Sequence, residues 1–100
     1  MEEWKKVGWM RVTADSLISP EPCFLLSVCL VADTVGAATA VIRDGHNTSG
    51  EAVINLAALT SSKDDRYYGN PLFFKTGLYV DVGSNVTSVL VQWLPHRKGD

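Results

Sequence analysis

The chain, 100 residues long, is poor in the side chains from which reaction centres are built. It has two histidines, His46 and His96, and neither lies beside a cysteine or an acidic pair at the spacing of a zinc site. His46 falls in an expected turn and His96 in a polar tail. A catalytic histidine needs a rigid support, so both read as solvated loop residues. No Gly-Lys-Ser/Thr phosphate loop, Gly-x-Ser-x-Gly elbow or His-Glu-x-x-His pair occurs, which removes the usual signatures of three large hydrolase classes. Asp64 and Asp65, with Asp81 elsewhere, are the carboxylates a glycosidase would have to use. Adjacent side chains on an extended segment point apart, so Asp64 and Asp65 make a poor acid–base pair. The expectation is a protein that is not an enzyme and takes no metal or cofactor.

An excess of charge is also missing. Nine basic against eleven acidic side chains leave a net charge of −2, with no basic footprint for nucleic acid and no polybasic patch for an anionic membrane. The most apolar window, residues 23–32, is too short to span a bilayer. The opening Met-Glu-Glu-Trp-Lys-Lys is not followed by the apolar core of a signal peptide, so synthesis and folding in a cytoplasm are expected. Two cysteines, Cys23 and Cys29, invite a disulfide. On one extended strand, six residues at about 3.3 Å each hold them roughly 20 Å apart, against the ~7 Å that a disulfide tolerates. Two free thiols follow.

What the chain does have is a beat. Apolar, β-branched runs at residues 24–32, 37–43, 78–82 and 86–94 are separated by turn formers at 33–36, 44–50 and 83–85. Seven to eight short strands at this spacing specify an all-β protein, an antiparallel β-sandwich or barrel, as a single domain. Residues 24–32 are apolar on both parities, as in a strand covered on both faces. Leu78, Val80 and Val82 alternate with Tyr79 and Asp81, and Val89, Val91 and Trp93 oppose Ser88 and Gln92, so both segments read as half-buried strands. Residues 51–59 fit two readings. As a strand they turn Ala52, Ile54, Leu56 and Ala58 one way. As a helix Thr48 and Glu51 would form a capping box. The preceding loop suits a hairpin and favours the strand. Gly69, Asn70 and Pro71 are expected to break the chain.

Residues 1–19 mix apolar and charged types and read as an N-terminal arm or edge strand, residues 20–95 as the sandwich, and residues 96–100 as a flexible polar tail. Residues 16–22 carry two prolines and read as a connector. Large aromatics near expected edges and loops mark interfaces, which nominates Trp4, Trp9, Tyr67 and Tyr68 for partner contact. Trp4 and Trp9 would strap the arm across a neighbouring subunit. Tyr67 and Tyr68 could equally stack on sugar rings. Trp93 is expected to plug an end of the sandwich.

A pattern of phrases runs through residues 24–93. An apolar strand (Leu25-Leu26-Ser27-Val28-Cys29-Leu30) is followed by a small-residue strand ending in Arg43-Asp44-Gly45, then by Thr48-Ser49-Gly50 and Val53-Ile54-Asn55-Leu56. It closes on Asn70-Pro71-Leu72-Phe73-Phe74-Lys75-Thr76-Gly77-Leu78-Tyr79-Val80 and a Val-Thr-rich last strand. The pattern resembles small virion structural proteins of tailed bacteriophages and prophages, over about 70 residues, with Thr-Gly-Leu-Tyr-Val its most telling phrase. The resemblance implies a jelly-roll-like β-sandwich in the virion, most simply a capsid decoration (cement) protein. It would be assembled in the host cytoplasm, bind the major capsid protein or other virion subunits, and form a homo-oligomer, with a trimer favoured. A neck or tail adaptor is the near alternative. No catalytic residues come with the resemblance, and residues 1–19 lie outside it.

Overall fold

The computed structural model describes residues 8–96. Eight strands follow in order: β1 (Gly8–Val12), β2 (Ser16–Ser19), β3 (Cys23–Ala32), β4 (Ala38–Asp44), β5 (Glu51–Ala58), β6 (Lys63–Phe74), β7 (Leu78–Val82) and β8 (Val86–Pro95). They form two four-stranded sheets, β1-β8-β3-β6 (sheet I) and β2-β7-β4-β5 (sheet II), with every ladder antiparallel. First pairs with last, second with seventh, third with sixth and fourth with fifth. That is one long hairpin folded over on itself, and the two further ladders, β3–β8 and β4–β7, are where it rolls up. This connectivity is the jelly roll, so the all-β antiparallel sandwich expected from the sequence is the observed fold.

One core lies between the sheets. Leu25, Val28, Leu30, Phe74, Val89 and Val91 of sheet I meet Ile42, Leu56, Leu78 and Val80 of sheet II, all almost wholly buried. The segment 51–59 is a strand, and Ile54, Leu56 and Ala58 point inward as expected. Ala52 does not. The register shifts between Ile42 and Arg43, which turns Ala52 to the outer face opposite Arg43. Trp93 packs against the core, and its indole lies over Gly8 so closely that a Cβ there would meet the ring at 3.2 Å.

Three expectations are corrected. Among the described residues strand β3 is not covered on both faces: Phe24, Leu26, Cys29 and Val31 on its other side are half-buried and meet no second layer. Both parities are apolar because the outward residues are apolar too, and a bulge at Leu26 switches the inward parity from Cys23 and Leu25 to Val28, Leu30 and Ala32. Gly69, Asn70 and Pro71 do not end a strand. They bow out of β6 where the pairing jumps from Tyr67 to Leu72, which an edge strand tolerates because its outer N–H groups need no partner. The connector 16–22 is half strand, since Ser16–Ser19 pair with β7 before Pro20. Within residues 1–19, expected as an N-terminal arm or edge strand, Gly8–Val12 form an edge strand laddered to β8.

The phrases of the sequence pattern meet at one end of the sandwich. The Asp44 carboxylate accepts from the backbone N–H groups of Lys75, Thr76 and Gly77 at 3.1, 2.9 and 3.3 Å. Gly45 N–H donates to Gly77 O. A side chain at Gly77 would strike Ser19 O at 2.8 Å and Gly45 O at 2.9 Å, so only glycine fits between these backbones. His46 is no free loop residue either: its Nε2 lies 2.8 Å from Pro20 O and 3.0 Å from Thr76 O, so Nε2 carries the proton and clasps two loops.

Candidate protein interface

The outer faces of the two sheets differ in kind. Sheet II is dressed with polar groups that have partners. Arg43 Nε donates to Asp81 Oδ2 at 3.0 Å and its Nη1 to Gly50 O, while Asp15 Oδ1 accepts from Val82 N–H at 2.7 Å. Sheet I presents rows of apolar and aromatic side chains instead. Register sets those rows. Phe73, Phe24 and Leu94 stand side by side in the first, and Tyr67, Ser27, Gln92 and Trp9 in the second. Asp65, Cys29, Leu90 and Arg11 form the third. Trp9 is 65% exposed, Tyr67 79% and Phe73 51%.

Each position has a local cause. Trp9 and Arg11 alternate with Val12, whose side chain enters the core, so an inward Val12 forces Trp9 and Arg11 outward. In β6 the inward positions Asp64 and Arg66 are charged. They reach across the open side of the sandwich, where Asp64 Oδ2 accepts from Ala57 N–H at 3.1 Å and Arg66 Nη2 donates to Asn55 O at 3.3 Å. Arg66 also grips Asp64 through Nε and Nη2 at 3.1 and 3.0 Å. The guanidinium holds the Asp64 carboxyl below its usual range. The pair satisfies the bare edge of β5 with inward charge, a known defence against edge-to-edge pairing. With Asp64 turned in, Asp65 and Tyr67 turn out. Asp64 and Asp65 thus point apart.

Ser27 Oγ–H donates to Gln92 Oε1 at 2.6 Å, a short polar bridge in the middle of the second row. The thiols of β3 split between the faces. Cys23 is buried and free, and burial pushes its pKa up to about 11. Cys29 is free and half-buried on the outer face, its pKa raised by burial first and then by the Asp65 carboxylate beside it.

Of the four aromatics nominated for contact, Trp9 and Tyr67 share one row of this face. Tyr68 turns inward and packs against the core, so Tyr67 and Tyr68 do not form one platform. Trp4 lies outside the described residues. Sequence reasoning missed the first row. Phe24 and Phe73 lie 5.2 Å apart between ring centroids, and His96 sits 5.6 and 5.4 Å from them. His96 therefore belongs to this face rather than to a free tail, and its N–H reaches Pro22 O at 3.1 Å. The available signal was parity, since Phe24 opposes Cys23 and Leu25, and Phe73 opposes Leu72 and Phe74. Among the described residues, no group of three or more His, Cys, Asp or Glu side chains could hold a metal ion. No protein-family model, curated protein or solved structure matches the chain.

Proposed function

We propose that this protein is a non-enzymatic structural subunit of a tailed-phage particle, acting as a head decoration protein that binds the capsid shell and stabilises it. The observation that carries the reading is the apolar outer face of sheet I, whose aromatic rows have no covering layer among the described residues. A face of this kind gains by burial against protein, whether the shell or a neighbouring copy of the chain, and each copy held at a shell joint must detach before the joint can open. Jelly rolls recur in virion subunits, which agrees with the sequence resemblance without deciding between head, neck and tail. The test is co-sedimentation with shells assembled from the capsid gene that neighbours its own. Saturable binding and a raised shell melting temperature are expected. Failure to bind such shells, with binding to tail tubes instead, would move the protein to the adaptor role.

One feature favours a second reading, a carbohydrate- or receptor-binding module. Trp9 and Tyr67 flank the Ser27–Gln92 bridge in a single row, so two aromatic faces border hydrogen-bonding groups on a sheet surface that could take a sugar chain. Jelly rolls also serve as lectins. A saturable change in Trp9 fluorescence on titration with oligosaccharides, abolished in Tyr67→Ala, would establish it.

A further inference from the structure

The third row of the sheet I face ends in opposite charges. Arg11 stands on edge strand β1 and Asp65 on edge strand β6, in register through Leu90 and Cys29. Both are exposed, and among the described residues neither has an ion-pair partner. Three strand spacings of about 4.8 Å set them roughly 14 Å apart, too far to meet within one molecule.

A two-fold axis lying in the plane of the face and running along the strands between β8 and β3 changes this. It lays β6 of one copy over β1 of the other and keeps each row at its own level. Arg11 then meets the second copy's Asp65 at one edge, and Asp65 meets the second copy's Arg11 at the other. The same operation sets Trp9 against Tyr67 and Leu90 against Cys29. Every residue of the row finds a complement, which is the requirement on an isologous interface. Sheets packed face to face align at about 30°, so the axis needs to lie only about 15° from the strands.

We propose that sheet I docks on sheet I of a second copy of this chain, as a two-fold dimer in which Arg11 and Asp65 exchange ion pairs at the edges and Trp9 and Tyr67 pack beside them. Like the proposed function, the inference takes this face to be an interface; it adds the occupant and the symmetry. Sheet II and the loop ends then remain free for a shell. Four strands of about eight residues present roughly 500 Å² in projection, the small end of specific association. The dimer departs from the trimer implied by resemblance.

The test is mass by light scattering over a micromolar dilution series, with circular dichroism on the same samples. The full chain is expected to reach twice its 10.9 kDa mass. Arg11→Glu and Asp65→Arg each place like charges together at both edges, and each alone should associate at least ~10-fold more weakly at low salt. Mixed in equal amounts they pair Glu with Arg at one edge and Asp with Arg at the other, and a dimer should reappear. The neutral pair Arg11→Gln with Asp65→Asn should dimerise without salt dependence. A wild-type monomer or trimer throughout, single variants that associate as the wild type does, or a mixture that stays monomeric would each overturn the dimer. Shell binding is read separately, so a monomer that binds shells removes the dimer and leaves the function, while a dimer that ignores shells does the reverse.

Discussion

The outer faces of sheets I and II are made from the same kind of strand and end in opposite characters. Sheet II mixes Arg43, Asp81 and Asn55 with half-buried Val41 and Tyr79 on its outward positions, and its exposed large apolar residues, Leu17 and Val53, sit one on each edge strand. Sheet I fills its two central strands with Phe24, Cys29, Leu90 and Leu94, then adds exposed aromatics at both edges. Since the two sheets share one core, folding does not require the difference. Among the described residues nothing covers the sheet I face, and it is the face on which the proposed interface rests.

The largest effects test the shared half of the comparison. Leu30 of sheet I and Ile42 of sheet II are both fully buried. Leu30→Ala and Ile42→Ala should each destabilise by about 3 kcal/mol in urea titration. Unequal losses, with one near zero, would mean that the sheets do not share a single core.

The next prediction separates the faces. Leu90→Lys on sheet I should abolish self-association, while Val41→Lys on sheet II should leave the molecular mass unchanged. Both outward positions are half-buried, so monomer stability should move by less than about 1 kcal/mol in either variant. Equal behaviour of the two would erase the distinction between the faces.

The seal between the sheets gives a pH-dependent effect. Arg66 holds the Asp64 carboxyl below the usual 3.8, so the unfolded chain takes up this proton first on acidification. The contribution of Asp64 is therefore complete above about pH 5 and disappears as the pH falls through the depressed native value. Asp64→Asn should flatten the acid limb of the stability curve. On sheet II, Arg43 and Asp81 are only partly covered, and Asp81→Asn should cost less than about 1 kcal/mol, measured by thermal melting.

The smallest effect is on reactivity. At mildly alkaline pH a thiol reagent should label Cys29 in the native protein and Cys23 only after unfolding, because burial keeps the Cys23 thiol protonated up to about pH 11. Labelling of Cys29 should slow as protein concentration rises, since the proposed dimer covers it. Equal rates for the two thiols would place them on one face.

Strands β7 and β8 were legible because their alternation is uninterrupted: Leu78 and Val80 turn inward, and Val89 and Val91 do the same. Trp9 and Tyr67 were legible as exposed aromatics, but not as neighbours in one row, since three ladders place them there. The Phe24–Phe73–His96 cluster was hidden for a related reason. An apolar run looks the same whether its second face meets another layer or water. Cys23 and Cys29, six residues apart, share a parity in the sequence, yet the extra residue at Leu26 puts them on opposite faces.

Local chemistry alone determined β3, β4, β7 and β8, the turns between them and the free thiols, because side-chain alternation and glycine-rich breaks act over a few residues. Only the tertiary structure decided which face of each strand met the core, where the bulge fell, and that Arg11 and Asp65 came to flank one surface. Those outcomes depend on which strands become neighbours, and pairing between residues far apart in the chain leaves no mark in a short stretch of it.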